Sequence, residues 1–74
     1  MDEQIYEIFK QKGKVWYGEI CQILESLIES QPTEVQKEVT FKPIEGMSEN
    51  DHLDIEAFKN LMKENVQIFE ILKT

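Results

Sequence analysis

Residues 13–20 read GKVWYGEI and residues 51–58 read DHLDIEAF. Both stretches begin with polar residues, place an apolar side chain third and then enter a helical pattern that contains a glutamate. The matching apolar residues, Val15 and Leu53, lie 38 positions apart. This repeat predicts two helix–loop–helix units that are joined as a pair.

The chain is short and acidic. Its 74 residues contain eight Lys and Arg against 15 Asp and Glu, which gives a net charge of −7. This balance argues against a nucleic-acid ligand, because phosphate contacts require an excess of Lys and Arg, and it favours a basic partner. The length predicts one domain, without room for an enzyme core and a substrate domain.

The expected compartment is the cytoplasm. The single cysteine, Cys21, excludes an internal disulfide and a multi-cysteine zinc site, which favours a reducing environment. We expect Cys21 to be a small buried hydrophobe. The acidic start at Asp2 and Glu3 predicts no signal peptide. Since no apolar run approaches the ~20 residues of a membrane span, we also expect no direct membrane binding.

Apolar residues at helical spacing predict the first two helices. Ile5, Ile8 and Phe9 form a short stripe in a helix of about residues 2–10. The second helix, about residues 17–29, has the strongest pattern, because a full apolar face opposes a polar one. That face consists of Ile20, Ile23, Leu24, Leu27 and Ile28.

A third helix is predicted to begin at Thr33. Thr33 followed by Gln36 is a capping-box pattern, and the helix would carry Val35 and Val39. A strand over residues 34–41 is the alternative, because the end of this stretch is rich in β-forming residues.

A fourth helix is predicted from Asp54, which is a good N-cap. We expect this helix to continue to the end of the chain, with a break at Asn65 as the alternative. Its apolar face would hold Ile55, Phe58, Leu61 and Met62.

Several segments resemble one lobe of a calmodulin-superfamily myosin light chain, in which two EF-hands are paired. They are Phe9 closing a helix, residues 13–15 in a loop, residues 18–20 opening the next helix, the linker 31–35, and residues 52–58 entering the last helix. The similarity spans about residues 5–64. In length the chain resembles the single-lobe light chains of amoebal class I myosins.

The resemblance implies an all-α fold that consists of one EF-hand pair. This calmodulin-like lobe would have four helices, with short β pairing between its two loops near Val15 and Leu53. The first, degenerate hand would cover about residues 2–30 and the second about residues 33–74 of the single domain 1–74.

Neither predicted loop has the oxygen ligands of a Ca²⁺ site. If the second loop spans residues 46–57, the usual ligand positions are Gly46, Ser48, Asn50, His52, Asp54 and Ala57. Gly46 has no side-chain oxygen, and Ala57 stands where a bidentate carboxylate is needed. A shift of the loop by one residue places His52 in the apolar position instead. The first loop, residues 10–14, is too short for a Ca²⁺ site, and three of its five residues are cations, Lys10, Lys12 and Lys14. We therefore predict no bound metal and no cofactor.

By resemblance, the protein would be a light chain that binds an IQ motif, a basic amphipathic helix in the neck of a class I myosin heavy chain. It would support the lever arm independently of Ca²⁺, act with the actin cytoskeleton, and be monomeric when free. The partner's apolar side would enter a groove, and its cations would face an acidic rim at Glu45 and Glu49. The candidate groove residues are Ile20, Ile23, Leu24, Leu27, Phe58, Leu61 and Met62.

No catalytic residue is predicted, because His52 is the only histidine and no triad can be built around it. Trp16 is expected to pack on the core beneath the first loop, with anchoring of a partner as the alternative.

Two other function classes are open. A winged-helix DNA-binding fold could use the turn before residues 18–29 as a helix–turn–helix. The supposed recognition helix, however, carries three glutamates and no cation. A small acidic inhibitor, such as a nucleic-acid mimic that occupies a basic cleft, would explain the acidity but not the repeat.

Overall fold

The computed structural model describes residues 2–13 and 15–73, with side chains from Gln4 onward. Met1, Thr74 and Lys14, one of the predicted loop cations, lie outside this part. Across the described residues the chain forms five helices and no named strand, which confirms the predicted all-α class. The helices are α1 (Asp2–Gln11), α2 (Tyr17–Glu29), α3 (Thr33–Glu38), α4 (Ile55–Glu64) and α5 (Val66–Lys73). The predicted number of four helices is wrong, because the last one divides in two.

The loop between α1 and α2 pairs with the segment before α4. Trp16 and His52 form an isolated antiparallel bridge. Next to it, the Leu53 N–H donates to the carbonyl of Val15 at 2.8 Å, and the Tyr17 N–H donates to the carbonyl of Asp51 at 2.9 Å. The short pairing that was predicted near Val15 and Leu53 is thereby confirmed.

Asp54 caps α4, as predicted. Its backbone is extended, at φ −80° and ψ 176°, and its Oδ1 accepts a hydrogen bond from the Ala57 N–H at 2.8 Å. This contact satisfies one of the N–H groups that a helix start leaves without an intrahelical partner.

The break between α4 and α5 occurs at Asn65, whose φ of −127° and ψ of 47° are not helical. In α5, Ile68 and Phe69 are both buried, whereas Val66, the first residue of the helix, is 56% exposed.

Helix α3 begins at Thr33 as predicted, but without the predicted capping box. Pro32 is the N-cap, and no side chain caps the helix. The Gln36 amide donates instead to the backbone carbonyls of Gln31 at 2.8 Å and Glu29 at 3.1 Å. Val39, the C-cap of α3, has an extended backbone, and residues 39–44 form no named strand.

Phe58 lies at the centre of the core. Its ring makes edge-to-face contacts with Tyr6, Phe9 and Phe69 at centroid distances of 5.5, 5.9 and 5.6 Å. These contacts join α1, α4 and α5, while α2 packs against α5 and α3. Aromatic pairs with this geometry contribute about 0.5–1.5 kcal/mol each beyond burial of their area.

Candidate functional site

Most of the predicted groove residues lie inside the core. Ile20, Leu24, Phe58 and Leu61 are fully buried, and Met62 is 7% exposed. Ile23 and Leu27 are half-buried at the edge of the core. In this conformation the seven side chains form packing contacts rather than an open groove, so a partner would reach most of them only if the helices moved apart.

An open apolar cleft of about 600 Å³ lies between α1, α2 and α5. We call it the α1–α5 cleft. Ile8 contributes the most exposed apolar side chain to it, at 51% exposure. Ile23 is the only described residue shared with the predicted groove. The lining residues are Gln4, Ile5, Ile8, Phe9, Lys12, Ile23, Leu72 and Lys73.

Sequence reasoning missed the roles of Ile8 and Leu72 in this cleft. The signal for Ile8 was present in the stripe that it forms with Ile5 and Phe9. Those two neighbours are buried, whereas Ile8 is exposed. Leu72 is half-buried near the end of α5, the helix that begins directly after Asn65.

The charges around the α1–α5 cleft differ from the predicted acidic rim. Lys12 and Lys73 line it, and the Lys73 Nζ lies 4.0 Å from the Glu70 Oε1. Glu45 and Glu49 are both exposed, but neither is among the described lining residues. The structure therefore does not bring the predicted rim and the open cleft together.

A second cavity of about 390 Å³ lies beside the bridge between the loops. Trp16, Glu19 and Glu49 contribute to its wall, and we call it the Trp16 pocket. The complete lining among described residues is Trp16, Gly18, Glu19, Gln22, Glu49 and Asn50.

Trp16 faces away from the core. Its side chain is 47% exposed, and its ring stands perpendicular to that of His52 at a centroid distance of 5.5 Å. The expectation that Trp16 packs on the core is wrong. Its backbone is extended at φ −84° and ψ 140°, and side chains alternate in extended chain. The neighbours Val15 and Tyr17 are directed inward, so Trp16 is directed outward.

Gly18 is the point at which Glu49 closely approaches α2 in the Trp16 pocket. Its N–H donates to the carbonyl of Glu49 at 3.0 Å. A Cβ at Gly18 would lie only 2.9 Å from the Glu49 Cβ and 3.0 Å from that carbonyl oxygen. The absence of a side chain at Gly18 therefore lets Glu49 approach the first turn of α2, where Glu19 also lies.

The carboxylates of the second loop serve the backbone locally. The Asp51 Oδ2 accepts a hydrogen bond from the Ser48 N–H at 2.8 Å, and Asp54 caps α4. Within residues 2–13 and 15–73, no three His, Cys, Asp or Glu side chains are grouped so that they could hold a metal ion.

Tyr17 and Cys21 lie one turn apart on α2. The Tyr17 hydroxyl accepts a hydrogen bond from the Ile44 N–H at 2.8 Å. Burial is the main cause that raises the pKa of the Tyr17 phenol, and it also raises the pKa of the half-buried Cys21 thiol. A thiol whose pKa is raised is protonated at neutral pH and is a weak nucleophile. Both groups thus fit a packing role, although Cys21 is less buried than expected.

No protein family, curated protein or solved structure matches this chain. None of the described helices has the length and apolar character that crossing a bilayer requires.

Proposed function

We propose that the protein is a single EF-hand-type lobe that acts as a myosin light chain. It binds an IQ-type helix in the neck of a class I myosin, supports the lever arm, and does so without Ca²⁺. The protein is a cytoplasmic monomer when free and reaches the actin cytoskeleton through the heavy chain. The observation that carries the proposal is the bridge between the two loops, with the Leu53 N–H donating to Val15. Paired EF-hand loops are expected to join at this register.

The α1–α5 cleft supports the binding of a helix. An amphipathic helix buries apolar anchors in such a cleft. Ile8, Ile23 and Leu72 offer apolar surface for these anchors without any movement of the fully buried residues. The partner's cations would be directed away from Lys12 and Lys73, towards the acidic remainder of a surface whose chain carries a charge of −7.

The test is a titration of the full chain with a synthetic IQ-type peptide, with Ca²⁺ and with a chelator. Ile8→Ser should weaken binding about tenfold, because each CH₂ group withdrawn from water contributes about 0.8 kcal/mol. The matched control is Val66→Ser, since Val66 is a similarly exposed apolar residue that is not among the described lining residues of the cleft. The free energy of unfolding of each variant should lie within about 0.5 kcal/mol of that of the unchanged chain.

Two results would contradict the proposal. The first is a peptide that fails to bind both with and without Ca²⁺, which would favour an acidic inhibitor instead. The second is equal weakening by Ile8→Ser and Val66→Ser, which would place the helix outside the α1–α5 cleft.

A further inference from the structure

We propose that the Trp16 pocket is a separate binding site for an arginine side chain of a basic partner. The guanidinium would stack on the indole of Trp16 while the carboxylates of Glu19 and Glu49 pair with its N–H groups. This site shares no described lining residue with the α1–α5 cleft. The proposal therefore stands without the binding of a helix in that cleft.

Trp16 presents an apolar ring to solvent from a backbone position that is held by the bridge between the loops. Large aromatic side chains that are exposed and rigid are typical of binding surfaces. The bridge to His52 fixes the backbone of Trp16, and the ring of His52 stands perpendicular to the indole at a centroid distance of 5.5 Å. Since Trp16 is 47% exposed, part of the indole is accessible to a flat cation.

The charge of the pocket selects a cation over an anion. Glu19 and Glu49 are both exposed and both line the cavity, and no described lining residue is a cation. The start of α2 would attract an anion through its free N–H groups. Here the N–H groups of Tyr17 and Gly18 already donate to backbone carbonyls.

Arginine fits this combination better than lysine. Its guanidinium is planar and weakly hydrated, it stacks on aromatic faces, and it pairs with carboxylates through several N–H groups at once. The ammonium of lysine is a compact and strongly hydrated charge that cannot stack in this way.

The experiment titrates the isotope-labelled full chain with a blocked hexapeptide that contains one arginine among alanines. Because Trp16 is the only tryptophan, its indole N–H signal reports on this pocket alone. We expect saturable shifts of that signal and of the Gly18 and Asn50 amides. The matched control peptide carries citrulline, which has nearly the same shape as arginine but no charge, and it should cause no saturable shift. A lysine peptide should bind more weakly than the arginine peptide.

Substitutions of the pocket residues test whether the arginine peptide binds at the Trp16 pocket. Glu19→Gln and Glu49→Gln should each weaken binding of the arginine peptide about threefold, and Trp16→Leu about fivefold, as expected for one exposed cation–π contact. Glu38→Gln, an exposed glutamate at the end of α3, should leave binding unchanged. The Gly18 amide replaces the indole as the reporter in Trp16→Leu, and circular dichroism checks the fold of each variant.

Equal shifts with the arginine and citrulline peptides would overturn the proposal, as would shifts spread over acidic residues far from the pocket. An arginine peptide that binds at Trp16 while the IQ-type peptide fails would overturn only the light-chain proposal. The reverse result would overturn only the assignment of the Trp16 pocket.

Discussion

The side-chain amide of Asn65 pairs with both backbone groups of Lys42. Its Oδ1 accepts from the Lys42 N–H at 2.7 Å, and its Nδ2 donates to the Lys42 carbonyl at 2.9 Å. The same Nδ2 also donates to the carbonyl of Leu61 at 2.9 Å. Asn65 thus joins the segment after α3 to the break between α4 and α5, and it is buried at that position.

Asn65→Ala should lower the free energy of unfolding by about 2 kcal/mol, because the backbone groups of Lys42 lose their partners in a partly buried place. Urea unfolding followed by circular dichroism measures this change. Asn60→Ala is the matched control, since Asn60 is exposed on α4. An Asn65→Ala variant as stable as Asn60→Ala would show that the paired amide contributes little.

Gly18→Ala should destabilise the fold by about 1–3 kcal/mol, although alanine favours helices, because the added methyl group would overlap the backbone of Glu49. The amide signals of residues 49–51 should shift with it. Gly13→Ala is the control. Gly13 has a φ of +73°, and a Cβ there would meet no atom within 4 Å. Gly13→Ala should lower the free energy of unfolding by about 1 kcal/mol through backbone strain. It should leave the amide signals of residues 49–51 unchanged. Unchanged signals in Gly18→Ala would refute the close approach.

Stability should fall at alkaline pH. Burial raises the pKa of Cys21 above its usual 9.0 and that of Tyr17 above its usual 10.0. Between the unfolded and folded pKa values, the unfolded chain has released a proton that the folded chain retains, so rising pH favours unfolding. Below the unfolded values the two groups cause no pH dependence.

Urea midpoints measured from about pH 8 to about pH 11 test this expectation. The urea midpoint of Cys21→Ala should fall less steeply with pH than that of the unchanged chain, in the range just above the usual pKa of a thiol. The comparison between the two chains cancels the titration of lysines, which both of them share. Identical slopes would show that the thiol titrates alike in the folded and unfolded states.

Local signals were sufficient to predict several parts of the fold. Asp54 needs only the N–H of Ala57 to act as a cap, so its role could be read from adjacent residues. The repeat around Val15 and Leu53 likewise predicted where the two loops meet.

Other features could not be predicted from local patterns. Asn65 is 23 positions from Lys42, and no local pattern indicates that pairing. Gln36 stands where a capping box would place it, but its side-chain amide donates to the backbone carbonyls of Glu29 and Gln31, which precede α3. An apolar stripe shows which face of a helix is buried but not what covers it. Ile20 and Leu24 therefore fitted a partner groove as well as the core in which they lie.

Millimolar Ca²⁺ should leave the melting temperature unchanged relative to Mg²⁺ at equal ionic strength. The Asp51 and Asp54 carboxylates each accept a hydrogen bond from the chain's own backbone and are not grouped around a common centre. A specific site would stabilise the fold by about 2.7 kcal/mol when the ion is at one hundred times its dissociation constant. Scanning calorimetry would reveal such a rise, and a rise specific to Ca²⁺ would contradict the prediction of no metal site.

Glu45→Lys should slow the association of the IQ-type peptide about threefold at low salt, because the exposed glutamate contributes to attraction before contact. The dissociation rate should change little, since Glu45 lines neither the α1–α5 cleft nor the Trp16 pocket among the residues described. Stopped-flow measurements with a labelled peptide give both rates. Near 1 M salt the screening length falls to about 3 Å, and the difference should disappear. The control is Glu34→Lys, which changes the net charge equally but on α3. Equal slowing by both variants would mean that overall charge steers the peptide and that Glu45 has no special position in a rim.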